Sequence, residues 1–207
     1  MRITLSRAAF LAALVASPCL GQKMTGPNPK GAVSPPVILD TTDLVQARFA
    51  KAGDDLWIGG QPSEKVLRDL KAQGVTTVVS LRRATEPNRY NFDEPALVKE
   101  LGMNFIRIPL AGDSIYPYSP DALKTFTKAM TEANGKVLLH CTIAWRASHM
   151  YAAYLIQERH VPVDTALNYA RSINLMDDMR MGTGDKQPVE QLLGRSLPQV
   201  GHPAKKP

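Results

Sequence analysis

Three observations predict an α/β fold with a mainly parallel central sheet flanked by helices. Short apolar runs alternate with segments of helical period from about residue 55 to residue 173. The stretch Val75 to Leu81 is continuous and rich in β-branched residues, as expected of a strand covered on both faces. Glycine or proline stands at most of the junctions between segments.

The elements follow in order. Asp55 to Gly59 reads as a short strand and Gly60-Gln61-Pro62 as a turn, with Ser63 as N-cap of a helix that runs through Gln73 and stops at Gly74. After the strand Val75 to Leu81, a polar loop from Arg82 to Phe92 leads to a helix near Asp93–Leu101 that Gly102 ends. Met103 to Leu110 is the next strand and Ala111 to Ser119 a loop. Pro120 to Asn134 is a helix with proline in its first turn and Gly135 beyond its end. Val137 to His140 is a further strand, followed by helices at about Ala147–Arg159 and Val163–Ile173 and a short one near Val189–Leu193. Met150, Tyr151, Tyr154 and Leu155 recur at helical spacing and are expected in the core.

A chain of 207 residues fits about one domain. Positions 1–21 combine Arg2 and Arg7 with an apolar run from Ala8 to Ala16 and small residues before Gln22, the pattern of an export signal peptide. Residues 22–45 form an extended arm, 46–181 the main domain and 182–207 a Gly/Pro/Lys-rich tail. The expected setting is periplasmic or secreted, without stable membrane insertion. Removing the leader takes Arg2 and Arg7 and lowers the formal charge from +6 to +4. That balance suits an anionic substrate. No dense basic run with interleaved aromatics is present, so nucleic acid is excluded as the expected partner.

The chemistry concentrates in Lys136-Val137-Leu138-Leu139-His140-Cys141-Thr142-Ile143-Ala144-Trp145-Arg146. Cys141 falls between a strand end and a helix start, where backbone N–H groups and the helix dipole favour a thiolate. Arg146 offers a planar two-pronged donor set to an anion over the sulfur, and the N–H groups of Thr142, Ile143, Ala144 and Trp145 complete the cradle. Once Cys19 leaves with the leader, Cys141 is the single remaining thiol, and a lone cysteine in an oxidising compartment reads as reactive. The strand ends with Gly59-Gly60-Gln61, Arg82-Arg83, Pro109 to Asp113 and His140-Cys141 converge on one rim, where open α/β sheets bind ligands. Arg82 and Arg83 are either attractors of a substrate anion at that rim or a solvated basic pair. Trp145 either stacks on substrate or packs between helices.

The succession Leu56-Trp57-Ile58-Gly59-Gly60-Gln61-Pro62-Ser63, Val78-Val79-Ser80-Leu81-Arg82, Ile108-Pro109-Leu110 and Val137-Leu138-Leu139-His140-Cys141 resembles the cysteine-dependent tyrosine and dual-specificity phosphatase superfamily. Within it, the chain is similar to the bacterial group of the phosphatase-like domain of beta-lactamase hydrolase-like proteins, over roughly residues 50–175. The resemblance implies a cysteine-phosphatase-like fold and hydrolysis of phosphomonoesters, phosphotyrosine among the candidates, through a cysteinyl-phosphate on Cys141. It implies that His140 orients the loop and helps keep the thiolate charged, and that Asp113, in the loop after the third strand, is the general acid. Asp121 is the weaker candidate, since an acid in a first helical turn has a dipole role. No metal or organic cofactor is implied.

Departures from the superfamily pattern keep two other readings open. Only four residues separate Cys141 from Arg146, whereas five are usual; four also occur in rhodanese-like sulfurtransferases. Ala144 stands where glycine is usual, so a positive φ there would cost roughly 1–2 kcal/mol. Ser148 lies one place later than the hydroxyl that often follows the arginine. The alternatives are therefore a rhodanese-like sulfurtransferase and a catalytically weak oxyanion-binding module.

Overall fold

The computed structural model describes residues 33–39, 49–175 and 186–198. The leader expected at 1–21 lies outside them, as do most of the 22–45 arm and the last part of the tail. Among the described residues six strands form one sheet in the order β1-β2-β3-β6-β4-β5. They are β1 (Val37–Ile38), β2 (Phe49–Ala52), β3 (Leu56–Gly59), β4 (Val75–Ser80), β5 (Asn104–Arg107) and β6 (Lys136–His140). The four from β3 onward pair in parallel, while β1 and β2 add antiparallel edge pairings. The sheet is thus mixed and mostly parallel, as expected in its centre.

The antiparallel edge was not anticipated. β2 is Phe-Ala-Lys-Ala, too short and too alanine-rich to signal a strand, and it folds back on β3 through a turn at Gly53, whose φ of 65° suits glycine. The arm then contributes β1 alongside β2. Among the described residues no helix is long and apolar enough to cross a membrane.

Among the described residues six helices cover the sheet: α1 (Glu64–Ala72), α2 (Glu94–Glu100), α3 (Pro120–Glu132), α4 (Trp145–Gln157), α5 (Val163–Ile173) and α6 (Lys186–Leu193). Because side chains alternate across a strand, each register row belongs to one face. Trp57, Leu138 and Val78 pair across β3, β6 and β4 and pack with Leu67 and Leu70 of α1 and Leu97 and Val98 of α2. The next row, Ile58, Leu139 and Val79, faces α3 to α6, including Phe126, Met150, Leu167 and Leu192. Met150, Tyr151, Tyr154 and Leu155 are buried on α4, as expected. α4 is enclosed over most of its length, and each such large apolar side chain contributes about 1.5–3 kcal/mol on burial. That helix is a rigid base for whatever its first turn carries.

Caps set the helix starts. Ser63, Asp93 and Ser119 each accept a first-turn N–H of α1, α2 and α3 with their side chains. α4 has no such cap: its N-cap residue is Ala144, which has no side-chain acceptor. The third register row, Gly59, His140 and Ser80, closes the parallel centre of the sheet. Cys141 follows directly.

Candidate active site

Between β6 and α4 the chain reverses over Cys141 to Ala144. Ala144 takes φ 70° and ψ −5°, the left-handed conformation whose cost for a residue with a Cβ is about 1–2 kcal/mol. This conformation turns the strand into the helix within four residues. Trp145 and Arg146, in the first turn of α4, have no intrahelical acceptor for their N–H groups.

The loop carbonyls are held outward. Thr142 O accepts the Gln61 N–H at 3.2 Å, Ile143 O accepts the Asn174 side-chain amide, and Ala144 O accepts both the N–H and the hydroxyl of Ser148 at 2.9 Å. The Ser148 hydroxyl is therefore committed to the loop backbone. Cys141 lies at the floor, 1% exposed, with its own N–H bonded to Gly59 O at 3.2 Å.

Arg146 is fixed from outside the loop by Glu86. Its two terminal nitrogens each donate to one carboxylate oxygen at 2.7 Å, a bidentate pair. Nη1 also reaches Leu81 O at 3.1 Å and Leu110 O at 2.8 Å, and Nη2 donates to the Thr142 hydroxyl at 2.9 Å, which in turn donates to Glu86 at 2.9 Å. All five of the Arg146 bonds are made through Nη1 and Nη2. Burial alone would push the Glu86 carboxyl up, but the Arg146 hydrogen bonds and charge, with the Arg83 N–H and the Thr142 hydroxyl, bring it down to about 2. Arg146 is opposed by burial and raised by Glu86 and by the Cys141 sulfur. Both groups are charged at neutral pH.

Behind the sulfur, His140 is fully buried against Glu94, the first residue of α2, with Nε2 to Oε1 at 2.9 Å. Its Nδ1 faces Cys141 O at 3.3 Å. Burial opposes ionisation of Glu94, yet His140 first, and then Arg82 and Arg107, hold it below its ordinary value.

The structure thus gathers His140, Cys141, Thr142, Ile143, Ala144, Trp145 and Arg146 into one cradle. Arg82 requires a correction. It is 5% exposed rather than at a solvated rim, with its guanidinium bonded to Glu86 O and Pro87 O and lying 3.7 Å from the Glu86 carboxylate. Its Nη2 serves the backbone of the 82–92 loop, and its guanidinium lies beside the Glu86 carboxylate. Asp113 is exposed on the loop after β5, and its Oδ1 accepts the Ile115 and Tyr116 N–H groups at 3.0 and 2.7 Å, leaving Oδ2 open. Asp121 is exposed in the first turn of α3, where the dipole role suffices. Trp145 is half-buried and meets His149 edge-on at 4.7 Å. Tyr118 is buried against His149; burial raises its hydroxyl, Arg146 opposes that and Cys141 reinforces it.

Sequence reasoning missed Glu86 and Glu94. Glu86 carried one signal, an acid in a loop that leaves the carboxyl end of a buried strand, the end at which open sheets bind ligands. Glu94 looked like an ordinary first-turn acid.

A family described as DSP-PTPase phosphatase fused to NAD+ kinase matches residues 41–188. A beta-lactamase hydrolase-like protein of Xylella fastidiosa (strain 9a5c) is 27% identical over 62% of the chain, and one of Agrobacterium fabrum (strain C58) is 30% identical over 50%. The aligned part spans 30% and 24% of those relatives, so the chain matches less than a third of their length. Among solved structures, a candidate phosphatase (DUF442) of Shewanella putrefaciens CN-32 superposes with a TM-score of 0.54 at 22% identity, covering 74% of this chain and 91% of that one. P. aeruginosa TpbA, in a cysteine-to-serine form complexed with pTyr, gives 0.52 at 18% identity, covering 78% and 89%. These likenesses establish a phosphatase-type fold.

Two outcomes follow from the geometry. Ala144→Gly should raise the unfolding free energy by about 1 kcal/mol, since relief of the left-handed strain exceeds the added chain entropy of about 0.4–1 kcal/mol; urea denaturation that shows a loss would mean the Cβ packing outweighs the strain. The Glu86 carboxyl lies below its ordinary 4.5 in the fold, so its contribution to stability is complete above that pH and disappears as pH falls towards about 2. Glu86→Gln should therefore be less stable at pH 7 and show a flatter decline between pH 4.5 and 2. Parallel wild-type and variant curves of urea midpoint against pH would count against this role.

Proposed function

The chain belongs to the DSP-PTPase phosphatase family described as fused to NAD+ kinase, and from that premise we propose that it hydrolyses phosphomonoesters through a cysteinyl-phosphate on Cys141. The observation that carries this reading is the placement of the sulfur at the floor of an uncapped helix N-terminus, with Arg146 held in the same loop by Glu86. In the first step the thiolate attacks phosphorus, the P–S bond forms and the P–O bond to the leaving group breaks. The loop N–H groups and Arg146 bind the phosphoryl oxygens, whose charge grows in the transition state. Asp113 supplies the proton to the departing oxygen through its open carboxylate atom, then accepts one from the water that cleaves the P–S bond and releases phosphate.

Phosphotyrosine is the leading candidate substrate, supported by the pTyr complex of the structural neighbour TpbA. The proposed setting is outside the cytoplasm, on the strength of the leader pattern in residues 1–21. The four-residue Cys141 to Arg146 spacing favours one other reading, sulfur transfer through a Cys141 persulfide.

Purified protein should release phosphate from p-nitrophenyl phosphate, and Cys141→Ser should abolish that turnover while leaving the unfolding midpoint nearly unchanged. Thiocyanate formation from thiosulfate and cyanide without phosphate release would replace the reading with sulfur transfer, and phosphate binding without either reaction would leave an oxyanion-binding module. Asp113→Asn should slow alkyl and aryl phosphates with poor leaving groups by a factor on the order of 10²–10⁴ and activated esters far less. A uniform small loss with the acidic limb of the pH profile unmoved would assign Asp113 to the loop alone.

A further inference from the structure

The turn after β3 carries a buried amide whose bonds the reaction scheme does not use. Gln61 is 1% exposed, and a polar side chain of that length is stable inside only when its amide is bonded. Its Oε1 accepts the Arg89 N–H at 3.2 Å and its Nε2 donates to Asn88 Oδ1. Backbone donors fix the orientation of both amides. The Arg89 N–H requires an oxygen on Gln61, and the Tyr90 N–H, at 3.0 Å, requires an oxygen on Asn88. Asn88 Nδ2 then donates to Phe92 O at 2.5 Å. One side chain therefore holds the second half of the 82–92 loop from a different part of the chain.

The backbone of the same turn holds the Cys141 loop. Gly59 O accepts the Cys141 N–H and the Gln61 N–H donates to Thr142 O, each at 3.2 Å, while Gly60 bridges Ile143. The first half of the 82–92 loop has its own anchor, because Arg82 Nη2 reaches Glu86 O at 3.4 Å and Pro87 O at 2.5 Å. Glu86 thus lies between two anchors, Arg82 on one side and Gln61 on the other. Its carboxylate in turn fixes Arg146 and the Thr142 hydroxyl. These contacts close a ring that runs from Gln61 through Thr142 to Glu86, along the loop to Asn88 and Arg89, and back to the Gln61 amide. A leucine at position 61 would keep the backbone bond to Thr142 and open the ring on the loop side alone.

We propose that Gln61 is a positioning residue: its side-chain amide fixes the loop bearing Glu86 relative to the Cys141 loop, and through Glu86 it sets the Arg146 guanidinium for a tetrahedral oxyanion. A bidentate pair between two planar groups tolerates little displacement, so a small drift of the loop is passed directly to Arg146. Gln61 acts on the anion only through that pair. The proposal rests on the oxyanion-site reading of the Cys141 loop, and one of its two readouts needs no anion, so a failure of that reading and a failure of this role are seen separately.

The test is Gln61→Leu, read in two ways. In ¹H–¹⁵N spectra of the arginine side chains, with the Arg146 signals identified by Arg146→Lys, the wild-type protein should show resolved Nη1 and Nη2 signals, because the bidentate pair hinders rotation of the guanidinium. In Gln61→Leu those signals should merge by exchange. The dissociation constant for inorganic phosphate, measured by calorimetry, should rise about ten- to a hundredfold, the scale of a displacement of about 1 Å at a reacting group. In a Glu86→Gln background the same substitution should add little to that rise, the signature of a role exerted through the carboxylate. Unmoved Arg146 signals, unchanged phosphate affinity, or an equal loss with and without the Glu86 carboxylate overturns the proposal, even where the unfolding midpoint falls. Should the wild-type protein bind no phosphate, the oxyanion reading fails and the Arg146 signals alone decide whether Gln61 fixes the guanidinium. Should Gln61→Leu fail to fold, Asn88→Ala removes the partner from the exposed loop instead, with the same expected results and the same results overturning the role.

Discussion

The bidentate pair between Arg146 and Glu86 is the interaction on which the rest of this site depends. It joins the first turn of α4 to the loop leaving β4, and the same guanidinium reaches the carbonyls of Leu81 and Leu110 at two strand ends. Three segments distant in sequence are therefore located by one planar cation. The pair is largely enclosed, so loss of either partner would leave an uncompensated charge, a far larger penalty than the rupture of an exposed ion pair. The Lys65–Asp69 pair on α1 and the Lys128–Glu132 pair on α3, by contrast, are solvent-exposed and contribute little.

Charge is arranged in layers around Cys141. Glu86 neutralises Arg146, Arg82 lies 3.7 Å from the Glu86 carboxylate, and Glu94 lies 2.9 Å from His140. Each buried ion has an opposite neighbour, as burial requires. Cys141, the thiol proposed as nucleophile, lies among these groups, 1% exposed. The apolar rows of the sheet and the enclosed body of α4 keep these groups in register with one another.

What was legible in the sequence was local. The β-branched run beginning at Val75, the Ser63 cap, the helix start at Pro120, the strand-to-helix junction at Cys141 and the left-handed position of Ala144 all rest on neighbouring residues. What was not legible is long-range. Glu86 and Arg146 are 60 residues apart, and no pattern within the Arg82–Phe92 loop reveals which of its charged groups turns inward. The burial of Arg82 was not legible for another reason: it follows from carbonyls only four and five residues on, which the folded loop turns towards it. The β1–β2 edge escaped notice because its strands are short and owe their existence to pairing rather than to composition.

The outward anchoring of the loop carbonyls has a thermodynamic consequence. Thr142, Ile143 and Ala144 present their oxygens to three separate elements, the turn after β3, the end of α5 and the body of α4. Their backbone dihedrals are thereby fixed before any anion arrives. The conformational entropy that a flexible anion-binding loop would lose on closing around its ligand is lost here during folding, and the dipoles aimed at the reacting group need almost no reorganisation when charge develops. For any tetrahedral oxyanion that the loop binds, selection would then rest on how well its size matches a backbone that is already set.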